Sequence, residues 1–176
     1  SDVCSSDLYG PNEDDHAGEQ FTTHVGRMLI SRYMKGTMEA SEDLKWMTDA
    51  KSLEEQVLVY QKICRAGVDS YRKYLDICED ADAHMTGKGN KELFRDSLML
   101  QGQIHYHCFC GAEWICESLL AAVKKEYQRA FYYGGMAREE YLKANQAMRE
   151  REHGKWGGFY ANECLTDVKQ SAWVLK

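Results

Sequence analysis

The chain has 176 residues, with 22 basic side chains, 28 acidic ones and a formal net charge of −6. These charges alternate along the sequence without forming a basic stripe, which argues against nucleic acid and anionic membranes as partners. Hydrophobic residues make up 44% of the chain, and no apolar run reaches bilayer-spanning length. We therefore expect a soluble globular fold. Only one proline is present, and this scarcity of helix breakers favours long helices.

The N-terminal segment carries no fold signal. Residues 1–8 read like translated DNA-sequencing adapter and resemble no protein motif, so we exclude them from the fold prediction. The alternative is a natural N-terminal tail. On the adapter interpretation, the chain is a metagenomic fragment whose native sequence continues upstream of Tyr9, and this leaves a signal peptide open. Residues 9–18 are polar and are expected to be irregular.

Apolar residues at three- and four-residue spacing predict the first two long helices. The first begins near Glu19 and fades between Gly36 and Ala40, and a short helical turn capped by Ser41 is expected at 41–47. The second helix has the best start signal in the chain, because Ser52 and Glu55 form a capping box. Its apolar seam reaches roughly to His84 and consists of Leu53, Val57, Tyr60, Cys64, Gly67, Tyr71, Leu75 and Cys78.

Two further long helices are predicted after the loop at 86–90. The third, 91–123, takes Asn90 as its N-cap. Its seam is Phe94, Leu98, Gln101, His105, Cys108, Ala112, Ile115, Leu119 and Ala122, with a second apolar edge at Leu100, Ile104, Gly111 and Trp114. The fourth, 126–152, has the seam Tyr127, Phe131, Gly134, Ala137, Tyr141, Ala144 and Met148. Close approach of a neighbouring backbone would explain the helix-weakening Gly102 and Gly111.

The predicted fold is therefore all-α, an antiparallel bundle of four long helices plus a short partial C-terminal helix. The bundle occupies 19–153, and 154–176 holds an aromatic and glycine-rich loop followed by a truncated final helix that Thr166 or Asp167 caps. No CxxC pair occurs among the cysteines. We interpret them as reduced thiols packed on apolar helix faces, as expected in a cytoplasmic protein.

Two metal sites are conceivable. His105, His107, Cys108 and Cys110 lie on one helix, but adjacent residues diverge, so a tetrahedral zinc site would need ligands from elsewhere, such as His24, His84 or Glu117. A di-metal carboxylate site requires two Glu-x-x-His motifs. The chain offers only 150–153, while Glu113 and Glu117 could face inward. Packing and surface charge explain both patterns better, so we predict no bound metal and no other cofactor.

Gln101 and His105 are polar residues close to the apolar seam of the third helix. They are candidates for one wall of a ligand pocket. The alternative interpretation is that they make satisfied hydrogen bonds in the core or contact a missing domain.

The segment 152–164 alternates aromatic residues and glycines with polar groups. Flat aromatic rings beside amide and carboxylate groups can stack on a sugar ring and bind its hydroxyls. The candidate substrate contacts are Trp156, Phe159, Tyr160, Asn162 and Asp167. The alternative is that the loop folds back to plug the end of the bundle.

A helical bundle followed by Gly154, Lys155 and Trp156 resembles the helical region late in large bacterial carbohydrate-active proteins, the family 115 glycoside hydrolases or xylan α-glucuronidases. The residues identical to that family are these three, and the resemblance in general pattern covers 92–168. The chain departs from the family after Trp156, where it has Gly157-Gly158-Phe159-Tyr160 in place of a methionine-rich stretch. The resemblance implies that catalytic carboxylates lie in an upstream barrel, so none is assigned here.

We therefore expect a non-catalytic helical accessory region of a larger carbohydrate-active hydrolase. Its partners would be the upstream catalytic domain, which it braces, and carbohydrate at the cleft. The alternatives are a stand-alone helical protein-interaction scaffold and a metal-binding helical-bundle enzyme.

Overall fold

The computed structural model describes residues 17–158, and these are α-helical apart from short connections and one isolated bridge between Glu39 and Ser52. The predicted all-α class is confirmed. The elements in chain order are α1 (Ala17–Met34), a 3₁₀ turn (Glu42–Leu44), α2 (Leu53–His84), α3 (Lys88–Phe94), a π-helical segment (Arg95–Met99), α4 (Leu100–Val123), α5 (Tyr127–Glu150) and a second 3₁₀ turn (Gly154–Trp156). Among the described helices, none combines the length and the apolar character needed to cross a bilayer.

Helix α2 begins at the predicted capping box. The Ser52 hydroxyl accepts the Glu55 backbone N–H at 3.2 Å, and the Glu55 carboxylate accepts the backbone N–H groups of Lys51 and Ser52. These backbone hydrogen bonds lower the pKa of Glu55. A cap of this kind stabilises a helix by about 1 kcal/mol. The predicted seam is also confirmed in its main members, because Leu53, Val57, Tyr60, Cys64, Leu75 and Cys78 are buried.

The Ser41 turn is shorter than predicted. Only Glu42–Leu44 is helical, and the Ser41 side chain makes no cap hydrogen bond. Its hydroxyl instead donates to the Met28 sulfur at 3.7 Å. The Gln56 side-chain amide fixes the Ser41 backbone, accepting from its N–H at 2.7 Å and donating to its carbonyl at 2.9 Å. Ser41 therefore joins the turn to α1 and α2.

The start of the third long helix differs from the prediction. It begins at Lys88, and the N-cap is Gly87, with φ of 86°, rather than Asn90. The five-residue π-helical segment then inserts an extra residue, which rotates everything after it relative to everything before it. Leu98 is 55% exposed and Gln101 faces solvent, whereas Leu100 and Ile104 are buried. The predicted seam is therefore wrong at Leu98 and Gln101, but its later members Cys108, Ala112, Ile115, Leu119 and Ala122 are buried as predicted.

Helix α4 lies at the centre and packs against α1, α2 and α5. Arg65 bonds to Glu117 and Tyr74 to Leu98, so α2 and α4 pass each other in opposite directions. Helix α5 also runs opposite to α4, since Ser118 bonds to Ala130 while His107 bonds to Glu140. Helix α1 runs in the same direction as α4, as the pairs Gly26–Ile115 and Tyr33–Ala122 require.

Aromatic rings fill the space above three helical glycines in the core. A Cβ at Gly67 would lie 2.4 Å from the Phe109 ring, one at Gly102 would lie 2.5 Å from the Tyr74 ring, and one at Gly111 would lie 2.9 Å from the Tyr141 ring. The prediction of a neighbouring backbone at Gly102 and Gly111 was therefore wrong in its detail. Side-chain rings make the close approach, and this locks α2 and α5 onto α4.

Candidate functional site

The predicted pocket residues Gln101 and His105 both lie on α4. Gln101 is exposed on α4. His105 is half-buried and stacks on Tyr71, with a distance of 5.1 Å between ring centroids. Burial lowers the pKa of His105, which favours the neutral ring. Neither side chain lines the groove described below.

The His/Cys segment of α4 makes contacts within the bundle. His107 Nδ1 donates to the Glu140 carboxylate at 2.8 Å, and Lys143 donates to the same carboxylate at 2.6 Å. Cys108 is buried, and burial raises the pKa of the half-buried Cys110 to about 11. Residues 17–158 contain no group of three or more His, Cys, Asp and Glu side chains placed to hold a metal ion.

The carboxylates considered for a di-metal site have other partners. Arg65 donates to Glu113 and Glu117, each at 2.9 Å, so these side chains meet α2 rather than face inward. At the end of α5, Glu150 accepts from Gln146 at 2.7 Å. His153 instead pairs with Asp96 at 3.1 Å, and Asp96 also binds Arg151.

The aromatic loop falls mostly beyond the described residues. The Trp156 backbone belongs to the 3₁₀ turn Gly154–Trp156, but its side chain lies outside the described part. Phe159, Tyr160, Asn162 and Asp167 also lie outside the described residues, as does the predicted final helix. The sugar-contact hypothesis for these residues stays a prediction.

An apolar groove that the sequence did not predict lies between α1 and α5. It encloses about 770 Å³, and α4 forms its floor. The lining residues are Ile30, Tyr33 and Met34 from α1, Ser118, Leu119 and Ala122 from α4, and Tyr127, Ala130, Phe131, Gly134, Gly135 and Arg138 from α5. We call this surface the α1/α5 groove.

Apolar side chains on the walls of the groove are unusually exposed. Phe131 is 84% exposed, Met34 77% and Tyr127 62%. Both walls are fixed to the floor, since the Tyr33 hydroxyl donates to the Ala122 carbonyl at 3.2 Å and the Ser118 hydroxyl donates to the Ala130 carbonyl at 2.7 Å. These hydrogen bonds hold both walls of the groove in place against α4.

Two glycines of the groove have open space above them. A Cβ at Gly134 would meet only the Ser118 hydroxyl, at 3.6 Å, and one at Gly135 would meet nothing within 4 Å. Helix α5 remains α-helical through both. The groove thus has a smooth stretch where no side chain rises from the α5 backbone.

The sequence showed the apolar stripe of α5 that lines this groove, but it did not show that part of the stripe is exposed. Tyr127 and Phe131 belong to the same stripe of α5 as Ala137, Tyr141, Ala144 and Met148, and we predicted all of them to be core. The last four are buried, whereas Tyr127 and Phe131 are exposed. The prediction was wrong for the first half of the stripe, because nothing in residues 17–158 covers that half.

Comparison of the chain with protein-family models, curated proteins and solved structures gave no match. The features of the chain that bear on function are the α1/α5 groove, the pairing of the charged groups and the sequence resemblance.

Proposed function

We propose that this chain is a non-catalytic helical accessory module that braces the catalytic domain of a larger carbohydrate-active hydrolase. The observation that carries the proposal is the α1/α5 groove, in which an apolar helical stripe continues past the point where the described chain covers it. Interfaces between domains of one protein bury surfaces of mixed apolar and polar character, and they favour aromatic residues and arginine. Phe131, Tyr127 and Arg138 supply such a surface.

The charge pairing supports a structural rather than a catalytic role. For Asp96 and Glu140, burial alone would raise the carboxyl pKa, but hydrogen bonds from basic side chains outweigh it and keep the pKa below the usual value. Arg95 lowers the pKa of Asp82 through a bidentate hydrogen bond of 2.7 Å. A general acid needs a pKa near the working pH, and these carboxyls are shifted the other way.

The hydrolase part of the proposal depends on sequence resemblance alone. Gly154, Lys155 and Trp156 match an element near the end of the helical bundle of family 115 α-glucuronidases. On this proposal, Trp156, Phe159, Tyr160, Asn162 and Asp167 line the rim of the substrate cleft. An intact gene with no barrel-sized domain upstream would contradict this part and leave the docking role standing.

The docking role is tested by one variant in two contexts. Phe131→Glu is introduced into this chain and into the protein encoded by the intact gene, and unfolding is followed by calorimetry. We expect no change in Tm for this chain, since Phe131 is solvated, and a Tm several degrees lower for the longer protein, where a buried charge weakens domain docking. Ile77→Glu is the matched control, because Ile77 is 69% exposed on α2 and does not line the groove. Equal Tm values for Phe131→Glu and Ile77→Glu in the longer protein would contradict the proposal.

A stand-alone scaffold that binds a separate protein is the second candidate, and the same groove supports it. The two candidates differ in where the partner resides. A native gene that starts close to Tyr9 favours the scaffold, whereas a long upstream domain favours the accessory module.

A further inference from the structure

The shape of the α1/α5 groove defines the kind of object that fits it. Helices α1 and α5 form its walls, and both pack on α4, which forms the floor. The α5 wall runs from Tyr127 to Arg138, which is about three helical turns, or roughly 17 Å. A slot between two helices and above a third has the dimensions of a further helix, and amphipathic helices are common occupants of apolar grooves.

The glycines define what the occupant presents. In the core of this chain, an aromatic ring covers each of Gly67, Gly102 and Gly111. Gly134 and Gly135 have the same helical backbone but no ring above them. Aromatic rings of the chain itself pack over the other three glycines. A bulky apolar side chain on the occupant would pack over Gly134 and Gly135 in the same way.

The charges around the groove define its electrostatic preference. Arg138 lines it, Lys35 follows the lining residue Met34, and Lys124 and Lys125 form the turn that leads from α4 to Tyr127. The carboxylates at this edge are already paired, Glu126 with Arg129 and Glu139 with Arg138. Within the described residues, the three lysines have no acidic partner. The rim is therefore positive on a chain whose net charge is −6, which favours an acidic partner.

We propose that the groove binds an amphipathic helix of the partner domain that carries acidic residues beside its apolar face. A bulky apolar side chain of that helix lies over Gly134 and Gly135, and the carboxylates of the helix lie against the three rim lysines. This proposal depends on the docking role proposed above and adds the chemistry of the partner.

Two other occupants fit the groove less well. A second copy of this chain in a two-fold arrangement would bring the cationic rim of one copy against that of the other, which is repulsive. A lipid surface is flat, so it would contact the exposed tips of Phe131 and Tyr127 but leave the concave floor of the groove empty.

The test uses the full chain and a synthetic probe. The probe is an amphipathic peptide of about 18 residues, long enough to populate a helix, with leucines at helical spacing flanked by glutamates. A matched peptide has lysines in place of the glutamates. Binding of each is measured by isothermal titration calorimetry, with Gly135→Leu as the variant that fills the groove from its α5 wall and Ile77→Glu as the surface control.

We expect the glutamate peptide to bind about tenfold more tightly than the lysine peptide. Gly135→Leu abolishes binding of both, Ile77→Glu changes neither, and the double variant Lys124→Glu, Lys125→Glu reverses the preference. Circular dichroism of each variant confirms that the helices remain.

The remaining outcomes separate the two proposals. Equal affinity for both peptides, lost in Gly135→Leu, overturns the acidic partner but leaves the docking role intact. Binding that Gly135→Leu does not affect, or no binding at all, overturns both. Binding of the chain to vesicles of phosphatidylcholine and phosphatidylserine overturns the helical partner if Gly135→Leu abolishes that binding. Self-association in sedimentation overturns it if Gly135→Leu abolishes the self-association.

Discussion

The centre of the bundle and the α1/α5 groove are built from the same components, namely helical glycines and aromatic rings, with opposite results. In the centre, Phe109 fills the space above Gly67 and is 5% exposed. In the groove, Phe131 is 84% exposed, and nothing lies above Gly135. The centre holds the fold together, whereas the groove leaves the same components uncovered by the described residues. On the docking proposal, one apolar pattern serves stability in the centre and binding in the groove.

The largest expected effect comes from the two phenylalanines. Phe109→Ala removes a buried ring and leaves a cavity, so we expect the free energy of unfolding to fall by about 3–5 kcal/mol. Phe131→Ala removes a solvated ring and is expected to change it by less than about 0.5 kcal/mol. Urea denaturation of both variants measures the difference. A loss of several kcal/mol for Phe131→Ala would mean that the groove is part of the core.

The two kinds of glycine give the next largest contrast. In Gly67→Ala the new methyl group meets the Phe109 ring, and we expect a net destabilisation of about 1–2 kcal/mol. In Gly135→Ala the methyl group meets open space, and the better helix propensity of alanine is expected to stabilise the chain by up to about 1 kcal/mol. Thermal unfolding followed by circular dichroism checks both signs. The same sign for both variants would contradict the contrast.

Two buried tyrosines hold α1 onto the closed part of the bundle. The hydroxyls of Tyr60 and Tyr141 both donate to the Thr22 carbonyl, at 3.0 and 2.9 Å. Tyr60→Phe and Tyr141→Phe each leave that carbonyl with one tyrosine donor. We therefore expect each variant to lower the free energy of unfolding by about 1 kcal/mol or less. The double variant is expected to cost more than the sum of the two, because both donors are lost. A double-mutant cycle measures this coupling, and strict additivity would show that the carbonyl is satisfied by other means.

The smallest expected effect is on pH dependence. Burial lowers the pKa of His105, so the folded chain favours the neutral ring and the unfolded chain binds the proton more readily. Stability is therefore expected to decrease as the pH falls below about 6.5, the ordinary value for histidine. His105→Phe keeps a ring for stacking on Tyr71 and removes this slope. Below about pH 4.5 both proteins lose stability, since the lowered pKa of Glu140 stabilises the fold only while that carboxyl is ionised. An unchanged slope between pH 7 and 5 in His105→Phe would contradict the assignment.

The helices themselves could be predicted from the sequence because their signals are local. Ser52 and Glu55 lie within one helical turn of each other, and the seam of α2 follows from residue spacing alone. The π-helical segment Arg95–Met99 could not be predicted, because it carries no distinctive residue pattern. The exposure of Gln101 could not be predicted either, since the buried Cys108 and Ala112 share its helix face.

The groove could not be predicted for a related reason. Periodicity identified the α5 stripe as apolar, but it is a property of one helix and does not show which part of the stripe a neighbour covers. That depends on how far α1 and α4 extend beside α5, which is set by tertiary packing. The same limit applies to Gly102 and Gly111, since their ring partners, Tyr74 and Tyr141, lie on other helices.

Hydroxyl-radical footprinting of side chains, read by mass spectrometry, tests the docking role of the groove most directly. It compares Phe131 with Tyr141 in this chain alone and in the larger hydrolase proposed above. We predict that Phe131 is oxidised rapidly in this chain and is strongly protected in the longer protein, while the buried Tyr141 reacts slowly in both. Equal reactivity of Phe131 in the two proteins would contradict the account.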